Sequence, residues 1–313
     1  MKPPLFIVFN LGSGYGDALA ARATIEQACS EAGRELHLMV VPDPLRLAEL
    51  ARQAVQRAQQ VGGVVVAAGG DGTINAVAQA TLGSGCAFGV LPQGTFNYFS
   101  RTHGIPADTA QAMQVLLQHD ALPVQVGLVN KKVFLVNASL GLYPKLLEDR
   151  EAWKKQFGRS RLVAFGAGLK TLMSGHRSLR LEIEVHGQAS EVRTPTLFVG
   201  NNALQLEQLG LSVATAVAAG ELAAVRLRPV GRSAMLWLLL RGALGQLGAA
   251  DQVVNFSFRR LTVRPARAFA ARRMKVATNG EINWLALPLV FSVSPQPLLL
   301  IRPAAQAVER ASP

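Results

Sequence analysis

Over its first 120 residues the chain alternates short apolar segments with longer amphipathic ones, and this alternation constrains the fold more than any other feature. Strands that alternate with helices through short connections form a parallel sheet with helices on both of its faces. The predicted strands are Leu5 to Phe9, Leu36 to Val41, Val64 to Ala68 and Ala87 to Leu91. Helices are predicted at Asp17 to Ala32, Asp43 to Gln60, Thr73 to Leu82, Asn97 to Arg101 and Ala107 to His119.

Beyond residue 122 the apolar pattern takes a period of two residues, which is typical of antiparallel sheets. We therefore predict an α/β domain at residues 1–122 and a mainly antiparallel β domain at residues 123–294. Its predicted strands are Val124 to Val126, Lys132 to Val136, Arg180 to Val185, Thr196 to Gly200, Leu222 to Leu227, Val253 to Val263, Met274 to Ala277 and Leu289 to Val293. Asn130 and Lys131 form a predicted turn, and helices are predicted at Lys145 to Ser174 and Arg232 to Leu247.

The most specific chemical signal is the Gly-Gly-Asp-Gly-Thr segment, in which Gly69, Gly70 and Gly72 surround Asp71 and precede Thr73. It links a buried strand to a helix. Glycines let the backbone approach a phosphate closely, and a helix N-terminus offers N–H groups and a partial positive charge. Asp71 can orient a metal ion or a reacting hydroxyl. A purely structural turn is the alternative, and the segment is neither a P-loop nor a Rossmann fingerprint.

Two further turns of small residues follow predicted strands. Asn10, Gly12 and Ser13 come after the first strand, and the Pro92-Gln93-Gly94-Thr95-Phe96-Asn97 stretch comes after the fourth. Loops that follow the carboxyl ends of parallel strands converge on one crevice, where ligands bind. The three turns together therefore predict one phosphate-binding site at that edge of the sheet.

The formal net charge is +12, and eleven basic residues against one acid lie between Arg226 and Lys275. Such a surface attracts polyanions. Nucleic acid is disfavoured because no nucleic-acid-binding motif accompanies the charge, and ordinary solvated arginines are the alternative. The longest apolar stretch, Ala234 to Leu240, is far shorter than the roughly 20 residues of a membrane span. We therefore expect a soluble, cytoplasmic protein.

These motifs, with Asn137 to Leu142, Gly200-Asn201-Asn202 and Asn279-Gly280-Glu281, resemble the diacylglycerol kinase catalytic domain family and its bacterial lipid kinase relatives. That family shares the fold of its first domain with NAD kinases and 6-phosphofructokinases. The resemblance implies a β-sandwich-like second domain, an active site between the domains, MgATP as phosphate donor and a lipid hydroxyl as acceptor. It also implies that the last strand, within residues 295–303, returns to the first domain. The implied nucleotide site comprises Asn10, Gly12, Ser13, Gly69, Gly70, Asp71, Gly72, Thr73, Gly94, Thr95 and Asn97.

The sequence departs from the family at four acidic positions, which here are Tyr98, Gln125, Ala219 and Asn279. Asn279 replaces the aspartate that is taken to deprotonate the lipid hydroxyl, and an amide cannot accept that proton. Asn-Gly is also a common two-residue hairpin turn, which is a structural alternative for Asn279. Asp71 and Glu281 are the acids that remain near the implied cleft. A magnesium site cannot be assigned to particular residues.

Three functions stay open on the sequence. The first is an ATP-dependent lipid kinase with Asp71, Asn279 and Glu281 as catalytic candidates, acting at the anionic inner surface of a membrane. The second is a catalytically impaired relative that binds nucleotide. A NAD kinase ranks third: that group shares the Gly-Gly-Asp-Gly-Thr turn, but the resemblance beyond Pro123 follows the lipid kinases. The lipid acceptor is not specified by the sequence.

Overall fold

The computed structural model describes residues 2–12, 18–142, 144, 147, 178–243, 245–266 and 272–304. The chain divides into two compact units. Unit 1 comprises Met1–Val124 and Gln296–Pro313, and unit 2 comprises Gln125–Pro295. The helix predicted from Lys145 to Ser174 lies almost entirely outside the described residues.

Eighteen strands and eight α-helices are found in the described ranges. The strands are β1 (Leu5–Asn10), β2 (Leu36–Val41), β3 (Val64–Gly69), β4 (Ala87–Pro92), β5 (Ala121–Val124), β6 (Gly127–Val129), β7 (Lys132–Phe134), β8 (Asn137–Gly141), β9 (Leu179–Val185), β10 (Gln188–Thr194), β11 (Thr196–Gly200), β12 (Leu222–Leu227), β13 (Val253–Phe258), β14 (Arg260–Pro265), β15 (Arg273–Thr278), β16 (Glu281–Ala286), β17 (Leu289–Val293) and β18 (Leu298–Ile301). The helices are α1 (Ala18–Glu31), α2 (Leu47–Val61), α3 (Asp71–Thr81), α4 (Tyr98–Thr102), α5 (Thr109–Gln118), α6 (Ala203–Gln208), α7 (Ala214–Ala218) and α8 (Arg232–Ala243).

Unit 1 is built around a six-stranded sheet with the order β2-β1-β3-β4-β18-β5. All neighbouring strands are parallel except β18 and β5. All six residues of β3 are buried, which explains its uninterrupted run of small and β-branched apolar residues. The connection from β1 leads to β2 on one side of it, whereas the following connections lead across the sheet in the opposite direction, to β3 and then to β4. Right-handed crossovers therefore place α1 on one face of the sheet and α2 and α3 on the other. The predicted α/β fold is confirmed.

The second predicted helix begins later than its sequence suggests. Asp43 does cap a turn, since its Oδ1 accepts from the N–H of Leu45 at 2.9 Å. The turn is a short 3-10 segment, Pro44–Arg46, and the α-helix starts only at Leu47. The Asp-Pro pair therefore marks the start of the 3-10 segment rather than of the helix.

His103 follows α4 and is half-buried in unit 1. Its ring meets that of Phe99 edge-on, with centroids 4.7 Å apart. Burial lowers the pKa of His103 to about 4, and the charge of Arg302 acts in the same direction. The imidazole is therefore neutral in the folded protein at neutral pH.

This burial predicts an acid-sensitive unit 1. Because the pKa of His103 is lowered by folding, its contribution to stability is complete above pH 6.5 and is lost as the pH falls towards 4. The expected loss is about 3 kcal/mol, which urea unfolding across that pH range would measure. His103→Gln should flatten the dependence. An equal slope in this variant and the wild type would contradict the assignment.

Unit 2 is a sandwich of two six-stranded antiparallel sheets, with the orders β10-β9-β14-β17-β6-β7 and β13-β12-β11-β8-β15-β16. Both sheets contribute to one apolar core, as the predicted antiparallel β domain requires. Phe134, Leu140, Leu197, Phe258, Leu261 and Phe291 are among its buried side chains. The chain forms the predicted two-residue turn at Asn130 and Lys131, since Val129 pairs with Lys132.

Several predicted boundaries in unit 2 are wrong. The segment from Val253 to Val263 forms two strands, β13 and β14, that belong to different sheets. Phe258 and Leu261 both enter the core, and a single strand of period two cannot place residues three apart on one face. The segment Val124 to Val126 is also not one strand, because β5 ends at Val124 in unit 1 and β6 begins at Gly127.

Two apolar side chains of α8 are buried. Met235 and Leu238 are only 2% and 3% exposed, whereas Trp237 is 55% exposed. The segment is therefore a core contact at Met235 and Leu238. Within the described ranges, no helix combines the length and the apolar character that crossing a membrane requires.

Candidate functional site

A side-chain hydrogen bond joins the end of β1 to the first turn of α3. Asn10, the last residue of β1, donates from Nδ2 to Oγ1 of Thr73 at 2.8 Å. Its Oδ1 accepts from the N–H of Gly12 at 3.1 Å, which shapes the turn that follows. Thr73 is buried in the first turn of α3. Asn10 thus ties the first turn to the Gly-Gly-Asp-Gly-Thr turn.

Gly69 has no room for a side chain. A Cβ at this position would lie 2.6 Å from Cβ and 2.7 Å from Oγ1 of Thr73. The carbonyl of Gly69 also accepts from the N–H of Gln93 at 2.9 Å, which links the ends of β3 and β4. Packing around Thr73 therefore requires glycine at the end of β3.

The turn after β4 packs backbone to backbone against the turn after β3. A Cβ on Gly94 would lie 3.0 Å from Cα of Gly70. Asn97 is in the left-handed region with φ 47°, and its side chain closes the turn. Its Oδ1 accepts from the N–H of Gly94 at 3.0 Å and its Nδ2 donates to the Gly94 carbonyl at 2.8 Å. Asn97 therefore shapes the loop.

The helix that starts at this edge can hold an anion. α3 is eleven residues long and begins at Asp71, directly after the extended residue Gly70. The first turn of an α-helix has backbone N–H groups without intrahelical acceptors, and its dipole favours negative charge. Gly70 and Gly72 present no side chain beside these groups. The edge therefore has the chemistry of a phosphate-binding site.

Asp71 is turned towards the start of α4. Burial raises the pKa of its carboxyl, while hydrogen bonds from the backbone N–H groups of Phe99, Tyr98 and Asn97 act in the opposite direction. Its Oδ1 is buried without a hydrogen-bond partner. Through these hydrogen bonds Asp71 positions the first turn of α4, in addition to the catalytic role that the sequence suggests.

Tyr98 occupies one of the four substituted acidic positions and is part of an aromatic pair. Its ring stacks on that of Phe96, with centroids 6.0 Å apart and planes within 6°. The guanidinium of Arg101 lies 5.9 Å from the centre of the Tyr98 ring. An aromatic and cationic surface therefore borders the turn at this position.

In unit 2, Asn279 and Gly280 form the tight turn between β15 and β16, with φ values of 47° and 85°. The predicted hairpin turn is present, and Asn279 does more than shape it. Its Oδ1 accepts from the N–H groups of Val136 and Asn137 at 3.0 and 3.1 Å. Those two bonds fix the orientation of the amide, and its Nδ2 is buried without a hydrogen-bond partner.

Glu281 follows the same turn and keeps a substantial exposed surface. Desolvation by neighbouring protein atoms raises the pKa of its carboxyl, and the charge of Lys132 acts in the opposite direction. Because the side chain reaches solvent, the energetic consequence of that rise is small.

Gln125 is held in a hydrogen-bond network that a carboxylate could not form. Its Nε2 donates to Oδ1 of Asn201 at 2.7 Å and to the backbone carbonyl of Glu221 at 3.1 Å. Asn201 in turn donates to the carbonyls of Gln125 and Leu135. The surroundings of Gln125 are therefore built for an amide donor.

Metal ligation is poorly provided for among the residues that the structure describes. Ala219 caps the short helix α7 and carries no ligand atom. Within the described ranges there is no group of three or more His, Cys, Asp or Glu that could hold a metal. The residues therefore do not fit a magnesium site made by protein ligands alone.

The predicted site residues fall into two groups. Those around the phosphate-binding edge lie together in unit 1, whereas Asn279 and Glu281 flank Gly280 in unit 2. Ser13 lies outside the described residues. The unit 1 group comprises Asn10, Gly12, Gly69, Gly70, Asp71, Gly72, Thr73, Gly94, Thr95 and Asn97.

Sequence reasoning missed the contacts that fix the amides. In the sequence Asn201 and Asn137 stand out only as motif residues. Nothing in their spacing shows that Asn201 forms a hydrogen bond with Gln125 or that Asn137 forms one with Asn279. Lys132, the cation beside Glu281, also carried no signal.

A parallel α/β unit with this turn, followed by an antiparallel sandwich, defines the fold class of diacylglycerol kinases. A crystal structure of a diacylglycerol kinase from Bacillus anthracis str. Sterne matches with a TM-score of 0.71 at 20% identity. The match covers 97% of this chain and 99% of that chain. The match supports the same fold over the matched part of the chain.

Residues 4–129 match the family model of the diacylglycerol kinase catalytic domain. The chain is 36% identical over 166 residues to the probable lipid kinase YegS-like of Pseudomonas aeruginosa strain UCBPP-PA14, covering 52% of each. It is 43% identical over 79 residues to the protein of the same description from Klebsiella pneumoniae, covering 25% of this chain and 27% of that one. The chain thus spans about half the length, or less, of these curated relatives. The resemblance to lipid kinases is confirmed.

Proposed function

We propose that unit 1 binds ATP at the carboxyl edge of its sheet and that the protein transfers the γ-phosphate to a lipid hydroxyl. The arrangement that carries this proposal is the junction of three turns at one edge, where Asn10 bonds Thr73 and Gly94 packs on Gly70. The lipid kinase-like sequence of this region supports the same reading.

The residues of the edge have distinct tasks. ATP supplies the phosphoryl group that is transferred. Backbone N–H groups at the start of α3 bind phosphate oxygens, and Gly70 and Gly72 let the phosphates approach the main chain. The hydrogen bond between Asn10 and Thr73 fixes α3 relative to β1, so the backbone N–H groups at the start of α3 are in place before the nucleotide binds.

Magnesium enters the proposal only as an ion associated with the nucleotide. Mg²⁺ is commonly bound by phosphates with one or two carboxylates, and it keeps several waters. Because the described residues include no group of three or more His, Cys, Asp or Glu that could hold a metal, the phosphates and water would supply most of the ion's ligands.

A weakly active or inactive nucleotide-binding protein is the second candidate. It is favoured by Gln125, whose amide donates to two acceptors, and by Asn279, whose amide cannot act as a base. In this function unit 1 still binds ATP, and turnover is close to background.

The acceptor and the location belong to the proposal as well. We infer a diacylglycerol-type lipid as acceptor, reached by a cytoplasmic protein that docks at the anionic inner surface of a membrane. The positive net charge of the chain favours such a surface.

The function is tested by assaying transfer from labelled ATP to diacylglycerol in mixed micelles, together with calorimetric ATP binding. Asn10→Ala removes the bond to Thr73 and the acceptor for Gly12, so we expect ATP affinity to fall about 5- to 10-fold. Gln27→Ala, on an exposed face of α1, is the control and should bind ATP normally. Transfer to NAD instead of lipid would reject the lipid kinase assignment, and unchanged ATP affinity in Asn10→Ala would reject the site.

A further inference from the structure

The β15–β16 hairpin presents a basic and aromatic surface on one face. In the antiparallel register, Lys275 lies opposite Trp284 and Arg273 lies opposite Ala286. Residues directly opposite one another in a sheet point to the same face. The ring of Trp284 is 54% exposed, and Arg273 is exposed as well.

Two cationic side chains contact that tryptophan residue. The Nζ of Lys275 lies 5.2 Å from the centre of the Trp284 ring, which is a cation–π distance. Arg273 donates from Nη2 to the backbone carbonyl of Trp284 at 3.2 Å. Arg273, Lys275 and Trp284 are called the hairpin patch below.

The hairpin patch faces away from the sandwich core. Val276 on β15 is part of that core, and Met274 and Leu285 pack against it, so the alternate residues of both strands point outward. β16 is also the edge strand of its sheet. The acid of these two strands, Glu281, lies at the opposite end of the hairpin from Arg273.

We propose that the hairpin patch docks the protein on an anionic lipid bilayer. Tryptophan favours the membrane–water interface, where an apolar ring and a polar N–H are both accommodated. A Lys or Arg side chain near an anionic surface adds to the attraction, and Lys275 and Arg273 both contact Trp284 here. The inference rests on the proposed function for its lipid partner, but docking needs neither ATP nor turnover.

Trp237 on α8 supplies a matched comparison. It is 55% exposed, and the guanidinium of Arg241 lies 5.4 Å from its ring centre. Its neighbours Met235 and Leu238 are buried, and it lies outside the hairpin patch. A general effect of removing an exposed tryptophan would appear equally at both positions.

The test is sedimentation of the full chain with vesicles of phosphatidylcholine, with and without phosphatidylglycerol. We expect binding only to the anionic vesicles, weakened by salt. Trp284→Ala should reduce binding about tenfold, and Arg273→Glu with Lys275→Glu should reduce it further, because attraction becomes repulsion. Trp237→Ala should bind like the wild type.

Several results would overturn the inference. The first is that Trp284→Ala and the charge-reversed variant both bind anionic vesicles as well as the wild type does. The others concern the wild type: equal binding to neutral and anionic vesicles, no binding to any vesicle, or tighter binding to single-stranded DNA than to anionic vesicles. ATP calorimetry on the same samples separates the two proposals. Patch-dependent vesicle binding without ATP binding would retain the docking surface and reject the proposed function. If the protein binds ATP and phosphorylates lipid in micelles, but its vesicle binding does not depend on the hairpin patch, the proposed function is retained and the docking surface is rejected.

Discussion

Asn279→Asp is expected to raise the rate of phosphoryl transfer to a lipid hydroxyl by about 10²- to 10⁴-fold, the usual range for gaining a general base. The change suits the local structure. Oδ1 can keep accepting from the N–H groups of Val136 and Asn137, and aspartate tolerates the left-handed backbone that Asn279 adopts. Those two bonds also favour the ionised carboxylate, so the second oxygen can accept a proton.

The measurement is steady-state turnover with labelled ATP and diacylglycerol, at saturating levels of both. Asn279→Ala is the control, since it removes the amide without adding a base, and it should not gain activity. An Asn279→Asp variant that folds normally and shows wild-type turnover would contradict the view that the missing base limits the reaction.

Gln125→Asp should behave in the opposite way. Its carboxylate would face Oδ1 of Asn201 and the carbonyl of Glu221, which are both acceptors. We expect the free energy of unfolding to fall by about 1–3 kcal/mol, and no gain of activity from this substitution alone. At position 279 only the base is missing, so changing one atom should restore activity. At position 125 the surrounding hydrogen-bond network also differs, so introducing the aspartate alone should not.

Gly69→Ala is expected to abolish ATP binding and to destabilise unit 1. The added Cβ would approach Cβ of Thr73 to 2.6 Å and its Oγ1 to 2.7 Å, and both atoms belong to a buried side chain held by Asn10. Relieving that overlap must move β3 against α3, which costs about 1–3 kcal/mol. The same movement displaces the N–H groups that bind phosphate, so we expect at least a 10²-fold loss of affinity, as seen when geometry shifts by about 1 Å.

Gly231→Ala is the matched control, because a Cβ at Gly231 meets no atom within 4 Å. It should leave both ATP affinity and thermal stability unchanged. Wild-type ATP affinity in a folded Gly69→Ala protein would show that the turn after β3 does not hold the nucleotide.

Strands β1 to β4 and the helices between them could be predicted from the sequence because their signals are local. The run of six buried residues in β3 and the glycines that end it identify both the strand and the turn. The convergence of Asn10, Gly69 and Gly94 on one edge follows from parallel strand order alone. Asn10 bonding Thr73 is the detail that this reasoning could not supply.

Unit 2 was less predictable because its edge strands carry little apolar pattern. β10 reads Gln-Ala-Ser-Glu-Val-Arg-Thr, and most of its residues are exposed, so alternation gives no signal. The crossing from β13 to β14 depends on which sheet each residue faces, which is a tertiary property. The partners of Gln125 and Asn279 lie up to 143 positions away along the chain, and no local pattern records them.

The central claim is that the edge formed by Asn10, Gly69, Gly70, Thr73 and Gly94 grips the phosphates of ATP. Isothermal titration of ATP into the wild type, Asn10→Ala and Gly69→Ala tests it most directly, with EDTA present in a parallel series. We predict binding by the wild type that survives, weakened, in EDTA, a 5- to 10-fold loss in Asn10→Ala and no detectable binding in Gly69→Ala. Absence of ATP binding by the folded wild type, or equal affinity in all three proteins, would contradict it.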